Sequence, residues 1–374
     1  MSNTNFRYLA KEFPLVKPHE IGERFRIIDK IPEGYVLLKP LIAGICGSDI
    51  LYFEGHKEEW KLRERLPLCL LHEGVAEVVE VGEGVSLRKG VRTVVVPLIP
   101  CGECLVCRNN LGENMCLNPR FLASTCDGLA RTLFVYPAER VIPIASDLDL
   151  EIAVLAEPLS VVLNALEGGW VGREDRVAII GDGTLGFLLA LTISQMLGVP
   201  KPNLHVLGIF YEKLALMRDF AFTINTREEA GRLEEIFNSF DVVFEAVGGK
   251  AQEKTLDQAL SLVRPGGRLI VLGIPAGEKI PIKLPKIIKK CLSVKGSFWS
   301  RIDHFHKALE ILSDKEFKEK TKRIISSKKF KIESGRDLER ALRYSCSEEA
   351  ARRTPGKILL YFSEIRKELR GTGG

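Results

Sequence analysis

RVAIIGDGTLGFLLA (Arg176–Ala190) joins two kinds of hydrophobic pattern across three glycines. The run up to Ile180 is short, apolar and rich in β-branched residues, as a buried strand is. From Thr184 to Leu197, residues Leu185, Leu188, Leu189, Thr192 and Met196 line one helical face. Between them Gly181, Gly183 and Gly186 stand in the order G-x-G-x-x-G. The first glycine permits a tight turn, the second lets the backbone approach a pyrophosphate, and the third lets helix and strand pack closely. Free N–H groups at the helix start, here Thr184 and Leu185, then face the phosphates. A turn that binds nothing is the plain alternative. The strand before it and the helix after it argue against that.

The same grammar extends on the C-terminal side. NLHVLGIF precedes EKLALMRDF, DVVFEAVG precedes AQEKTLDQALSLV, and RPGGRLIVLG follows. Strands alternating with helices imply a parallel sheet with crossover helices. Before about residue 160 the pattern is different. VLLKPLIAGIC, GVAEVVEVG, VRTVVVPLI and LARTLFVYP read as strands without helices between them. After residue 297 the chain reads as helical and charged, then ends in GKILLYF, a strand that needs a sheet to join. The expected organisation is α/β. Residues 1–160 and 297–374 form a mostly-β catalytic domain, and residues 161–296 form an inserted nucleotide-binding domain.

At 374 residues the chain is too long for one ordinary core. Hydrophobic content of 45%, charged content of 28% and a formal charge of +5 are those of a globular protein without a strong nucleic-acid or membrane signature. FLLALTISQML, the longest apolar run, is too short to span a bilayer. MSNTNFRYLAKEF has no apolar core of a secretory leader, so the expected location is the cytoplasm. There, nine cysteines suggest metal binding or packing rather than disulfides.

The cofactor's second phosphate is read at the end of the second strand, about 20 residues past the glycine turn. NAD-specific sites usually place a carboxylate there, and this chain has Gly208. A glycine leaves room for a 2′-phosphate and Lys213 is a cation to meet it, so NADP(H) is preferred over NAD(H). Glu212 points the other way. Val247, Leu272, Gly273, Ser297 and Phe298 complete the expected cofactor contacts.

CGECLVCRNNLGENMC places Cys101, Cys104, Cys107 and Cys116 in a C-x2-C-x2-C-x8-C array. Four thiolates at short spacing suit a closed, structural zinc site. An iron–sulfur cluster and unligated thiols are the alternatives. A second constellation is dispersed: Cys46, Ser48 and Asp49 in GICGSD, His72 and Glu73 in LLHEG, and Glu157 in LAEPLSV. Thiolate, imidazole and carboxylate suit a catalytic zinc with an exchangeable position. Their separation proves nothing alone, because a lone histidine at a strand end is more often structural.

Taken in order, GICGSD, HEGVAEVVEVGEGV, the cysteine lobe, AEPLSV, GDGTLG, RPGGRLIVLG and VKGSF resemble the zinc-dependent medium-chain alcohol and polyol dehydrogenases over nearly the whole chain. The resemblance implies a GroES-like catalytic domain and a Rossmann nucleotide-binding domain. It implies that Cys46 and His72 bind a catalytic zinc, with Glu73 and Glu157 as further ligands or neighbours. It also implies a second, structural zinc. Zinc then acts as a Lewis acid in hydride transfer between a secondary alcohol and the nicotinamide, while Ser48 relays the proton and Glu73 tunes the metal and its water. Leu71, Leu51 and Asn164 stand where the family usually has glycine, often histidine, and often histidine.

An apolar residue before HEGV, a long loop between the cysteine and histidine ligands, and a glycine closing the second strand resemble the ribulose-5-phosphate reductases more closely. These make ribitol 5-phosphate with NADPH, although their best-known members lack the cysteine lobe. The implied substrate is a small polyol, sugar or sugar phosphate, with a homo-oligomer, dimer or tetramer, as the usual assembly. His56, Lys57, Lys61, Arg63, Arg65, Arg301 and His304 are candidate phosphate partners, weighed against a solvated helix face that carries Glu58, Glu59 and Glu64. Two other functions remain in play: a zinc dehydrogenase of another polyol, cyclitol or amino alcohol, and a non-catalytic zinc-stabilised nucleotide-binding protein.

Overall fold

The computed structural model describes residues 7–277, 279–353 and 356–363. Two large sheets organise the chain. One is parallel throughout, with strands Phe222–Asn225, Leu204–Gly208, Val177–Ile180, Phe240–Glu245, Val263–Val271 and Ser293–Gly296 side by side. In chain order that is 3-2-1-4-5-6, the doubly wound dinucleotide-binding arrangement. All four residues of Val177–Ile180 and all five of Leu204–Gly208 are buried, because helices cover both faces at the centre of the sheet. Ser293–Gly296, at the edge, is exposed throughout.

The other sheet has seven strands and is mixed. Val141–Pro143, Arg92–Val95, Glu73–Val81, Tyr35–Gly44, Lys357–Phe362 and Ile325–Ile332 form its path, and Phe134–Pro137 also pairs with Tyr35–Gly44. The late strand Lys357–Phe362 lies antiparallel to Tyr35–Gly44, with Leu359 opposite Gly44, and parallel to Ile325–Ile332. GKILLYF therefore joins the first sheet. Ile325–Ile332 corrects the expectation that the tail is helical up to GKILLYF. Its sequence, ISSKKFKI, is basic because it forms the sheet edge: Ser326, Phe330 and Ile332 point inward, while Lys328, Lys329 and Lys331 face water. Helix Tyr211–Ala215 is also shorter than EKLALMRDF suggested.

Helix Ala156–Gly169 lies between the two systems. It packs on helices Thr184–Met196 and Ile302–Ser313 and touches strands of both sheets. It also runs through residue 160, where the first domain was expected to end. Among the described residues no helix is long and apolar enough to cross a membrane.

Candidate active site and cysteine lobe

The helix Thr184–Met196 starts at Gly183, which offers no side-chain cap, so its first N–H groups are free for a ligand. Gly181 has φ 132°, a conformation open only to glycine. A Cβ on Gly186 would lie 1.9 Å from the Gly181 carbonyl oxygen, whereas one on Gly183 would meet nothing. The third glycine is thus a packing requirement, and the second faces open space. Gly208, Val247, Leu272, Gly273 and Ser297 all stand at or just past the carboxyl ends of their strands, the edge of such a sheet where ligands bind. Phe298 follows and stacks on Trp299, with ring centroids 4.1 Å apart.

The structure changes the meaning of Gly208. The space it leaves is filled by the Asp182 side chain, whose Oδ2 would lie 2.5 Å from a Cβ there. That oxygen accepts from the N–H groups of Ile209 (2.7 Å) and Phe210 (2.9 Å). A carboxylate therefore does reach the end of the second strand, from the glycine turn rather than from the strand itself. Lys213 and Arg227 lie against the Phe210 ring, at 5.0 and 5.8 Å. Burial lowers the Lys213 pKa, and Asp182 opposes the shift.

The dispersed residues meet. Strand Tyr35–Gly44 delivers Cys46 to the start of helix Gly47–Phe53, and strand Glu73–Val81 opens with Glu73 opposite Gly44. Ligand atoms of Cys46, His72 and Glu73 lie within 4.8 Å of one another. Glu157 is buried in the first turn of the bridging helix, outside that triplet but within reach of its charges. Burial pushes the Glu157 carboxyl up to about 8, with His72 opposing and Glu73 and Cys46 reinforcing. Burial and Glu73 push the Cys46 thiol up to about 12, although Ser48 hydrogen-bonds the sulfur and works against the shift. A half-buried thiol, an imidazole and two carboxylates form an electron-rich donor set that suits a divalent cation such as zinc.

Asp49, named so far only as part of GICGSD, and Lys357, which the sequence reading does not single out, complete the surroundings. Asp49 is buried and accepts from the N–H groups of Cys46 and Leu71, each at 2.9 Å. Its Oδ1 lies 3.9 Å from His72 Nδ1. This one carboxylate therefore braces both ligand-bearing segments. Lys357, buried in the late strand, pairs with Glu73 and donates to the Ile45 carbonyl at 3.0 Å. Burial lowers its pKa, but Glu73 and Cys46 outweigh that and the net shift is upward. Gly44 makes the pairing possible, since a Cβ there would lie 2.6 Å from Glu73 Oε2 and 2.9 Å from Lys357 Cδ. The signal for Lys357 was the strand GKILLYF, but its register was not readable.

Leu71, where the family has glycine, takes the glycine conformation with φ 73°. That costs a leucine about 1–2 kcal/mol. Asp49 on its N–H and the Leu129 N–H on its carbonyl (2.7 Å) hold it there. Asn164 donates to Ser297 Oγ at 3.0 Å, and Ser160 meets Ser300 at 2.7 Å, so the bridging helix is tied to the segment after the last parallel strand. Phe121 lies 5.5 Å from the His72 ring and stacks on Trp299 at 4.8 Å, giving an aromatic wall that the sequence did not announce.

The four lobe cysteines also converge. Their sulfurs are 3.5 Å (Cys104–Cys107 and Cys101–Cys116), 3.9 Å (Cys104–Cys116) and 4.0 Å (Cys101–Cys107) apart. A tetrahedron with metal–sulfur bonds of about 2.3 Å has edges of about 3.8 Å. Leu105, Leu111, Met115 and Leu117 are each more than half exposed, so the lobe has little core of its own. Backbone N–H groups of Leu117 and Cys107 pull the Cys104 thiol down to about 6, which favours the thiolate a metal needs.

Residues 32–146 match the alcohol dehydrogenase GroES-like domain, and residues 188–314 match the zinc-binding dehydrogenase domain. Ribulose-5-phosphate reductase 1 of Staphylococcus aureus is 29% identical over 80% of this chain and 84% of its own length. Sorbitol dehydrogenase of Bacillus subtilis is 30% identical over 83% of this chain and 87% of its own. The crystal structure of S. aureus TarJ in complex with NADPH superposes with a TM-score of 0.75 at 25% identity, covering 95% of this chain and all of that one. With identity at that level carried across most of its length, the chain belongs to the zinc-binding alcohol dehydrogenases, oxidoreductases that work with zinc and a nicotinamide cofactor.

Proposed function

We propose that the protein is a polyol-phosphate dehydrogenase that interconverts a ketose phosphate and its polyol phosphate, with D-ribulose 5-phosphate and D-ribitol 5-phosphate as the leading pair. The observation that carries this reading is the convergence of half-buried Cys46 with buried His72 and Glu73, joined to the parallel sheet by the helix that carries Glu157. The ribulose-5-phosphate reductases among its relatives support the substrate class.

Cys46, His72 and one of Glu73 or Glu157 would hold a zinc ion that would supply a Lewis acid for the substrate oxygen, and the carboxyl edge of the sheet would hold the nicotinamide that would supply the hydride chemistry. Asp49 keeps the backbone of both ligand segments in place. Ser48, half-buried in the first turn after Cys46, takes the substrate hydroxyl proton outward in the oxidative direction and returns it in the reductive one. Cys101, Cys104, Cys107 and Cys116 hold a second, structural zinc. For the cofactor we favour NADP(H), with Lys213 and Arg227 beside Phe210 as the cations for a 2′-phosphate. Asp182 opposes that preference less than a free carboxylate would, because two N–H groups already bind its Oδ2.

The test follows nicotinamide absorbance with D-ribulose 5-phosphate and with unphosphorylated D-ribulose, each with NADPH and with NADH. Oxidation of NADPH that is fast only with the phosphate ester is the expected result. Absence of turnover with both sugars, in protein shown to hold two zinc ions, removes the proposed substrate.

A further inference from the structure

The segment after the last parallel strand is strained and tied down from two sides. Trp299 has φ 54°, a left-handed backbone that a bulky residue avoids. Its indole stacks on Phe121 at 4.8 Å, and Phe121 lies 5.5 Å from the His72 ring. Just before Trp299 stand Ser297 and Phe298, past the carboxyl end of the strand Ser293–Gly296. Trp299 therefore joins the carboxyl edge of the parallel sheet to the aromatic wall of the candidate metal site. Strain of this kind persists only where neighbours hold it, and it collects at functional sites.

The bridging helix supplies one set of ties, through Asn164 to Ser297 and Ser160 to Ser300. The other set comes from the cysteine lobe. Gly112, at φ 116°, turns the lobe chain ahead of Cys116, and Glu113 and Asn114 follow it. Asn114 Nδ2 donates to the Phe298 carbonyl at 3.2 Å, one residue before Trp299. Glu113 Oε1 accepts from the Ile302 N–H at 2.5 Å, three residues after it. Ile302 opens the helix Ile302–Ser313, so this N–H has no partner inside the helix, and a carboxylate suits the positive end of the helix. The other oxygen, Oε2, accepts from the guanidinium of buried Arg140 at 2.7 Å. Arg140 leads into the strand Val141–Pro143 of the mixed sheet. Glu113 is thus fixed between two donors from separate parts of the fold.

We propose that Glu113 and Asn114 are positioning residues for the nicotinamide cofactor, holding the segment around Trp299, from the cysteine lobe, in the conformation that binds it. The proposal rests on the reading above that the nicotinamide lies along the carboxyl edge of the sheet. Without the lobe ties the left-handed backbone relaxes, and the binding conformation falls to a fraction of the population. The apparent Kd rises by the inverse of that fraction.

The experiment titrates NADPH and NADH, by nicotinamide fluorescence, into zinc-loaded wild type, Glu113→Ala, Glu113→Gln and Asn114→Ala. In Glu113→Ala, Kd for the nucleotide that wild type binds more tightly rises about tenfold, the scale of one left-handed residue. Glutamine recovers most of that affinity, because it keeps an oxygen for the Ile302 N–H. Both Glu113 variants lose the charge pair with Arg140, so both share whatever Tm is lost with it, and only alanine loses the Ile302 bond. A glutamine variant as weak as alanine, or an alanine variant with unchanged Kd, overturns the positioning role and leaves the cofactor reading standing. If Glu113→Ala does not fold, Asn114→Ala decides: it frees the Phe298 carbonyl and must raise Kd, and an unchanged value overturns the proposal. A wild type that binds neither nucleotide overturns the cofactor reading, and the role of Glu113 and Asn114 with it.

Discussion

The two groups of candidate metal-ligating side chains are built in opposite ways. The cysteine lobe draws its four sulfurs from one short segment, Cys101–Cys116, with few apolar contacts beneath it. The other group collects Cys46 from the end of one strand and His72 and Glu73 from the start of another, takes Glu157 from a helix between the sheets, and has its charge balanced by Lys357. Local spacing builds the first, over little apolar core. The whole fold builds the second, including strands that come after the nucleotide-binding sheet.

Four variants press on this contrast. The largest effect is expected from Cys46→Ser or His72→Ala, which should lower kcat/KM by about a thousandfold or more, since a Lewis acid supplies several kcal/mol of transition-state stabilisation. Zinc analysis should find one ion per chain left, and circular dichroism should show the fold intact; undiminished turnover in either variant would end the metal mechanism. Lys357→Met comes next. It leaves Glu73 as an uncompensated buried charge, a loss of about 3–5 kcal/mol by urea unfolding of metal-stripped protein. Zinc should recover part of that loss, because the metal replaces the missing positive charge. An unfolding curve that does not change would mean the pair is not coupled to the site. Cys104→Ser should have the smallest effect on chemistry. It should lose one zinc and stability on the order of a removed disulfide, about 2–5 kcal/mol, while freshly prepared protein keeps most of its activity. If the metal count and Tm stay at wild-type values, the lobe holds no ion.

What the sequence disclosed follows the same division. The glycine turn, the strand–helix alternation and the cysteine spacing are local, and each could be read directly. Ile325–Ile332 escaped because three outward lysines of an edge strand look like a solvated helix. Lys357 and Asp182 escaped for a different reason. Only the register of Leu359 against Gly44 brings Lys357 to Glu73, and only the turn at Gly181 swings Asp182 across Gly208. Leu71 was visible as a departure from the family, but its left-handed backbone was not, since the residue type argues against it. Asn164 was likewise visible as a missing histidine, and its bond to Ser297 could not be read.

The strand Lys357–Phe362 also has a consequence for biosynthesis. Chains emerge from their N-terminus, and domains fold as they are completed. Here the sheet begun first waits for its partner strand until the parallel sheet has been made. Cys46, His72 and Glu73 leave the ribosome early, yet the cation that balances them arrives some three hundred residues later. A ribosome stalled before that strand would carry a finished cofactor fold beside an unfinished metal site.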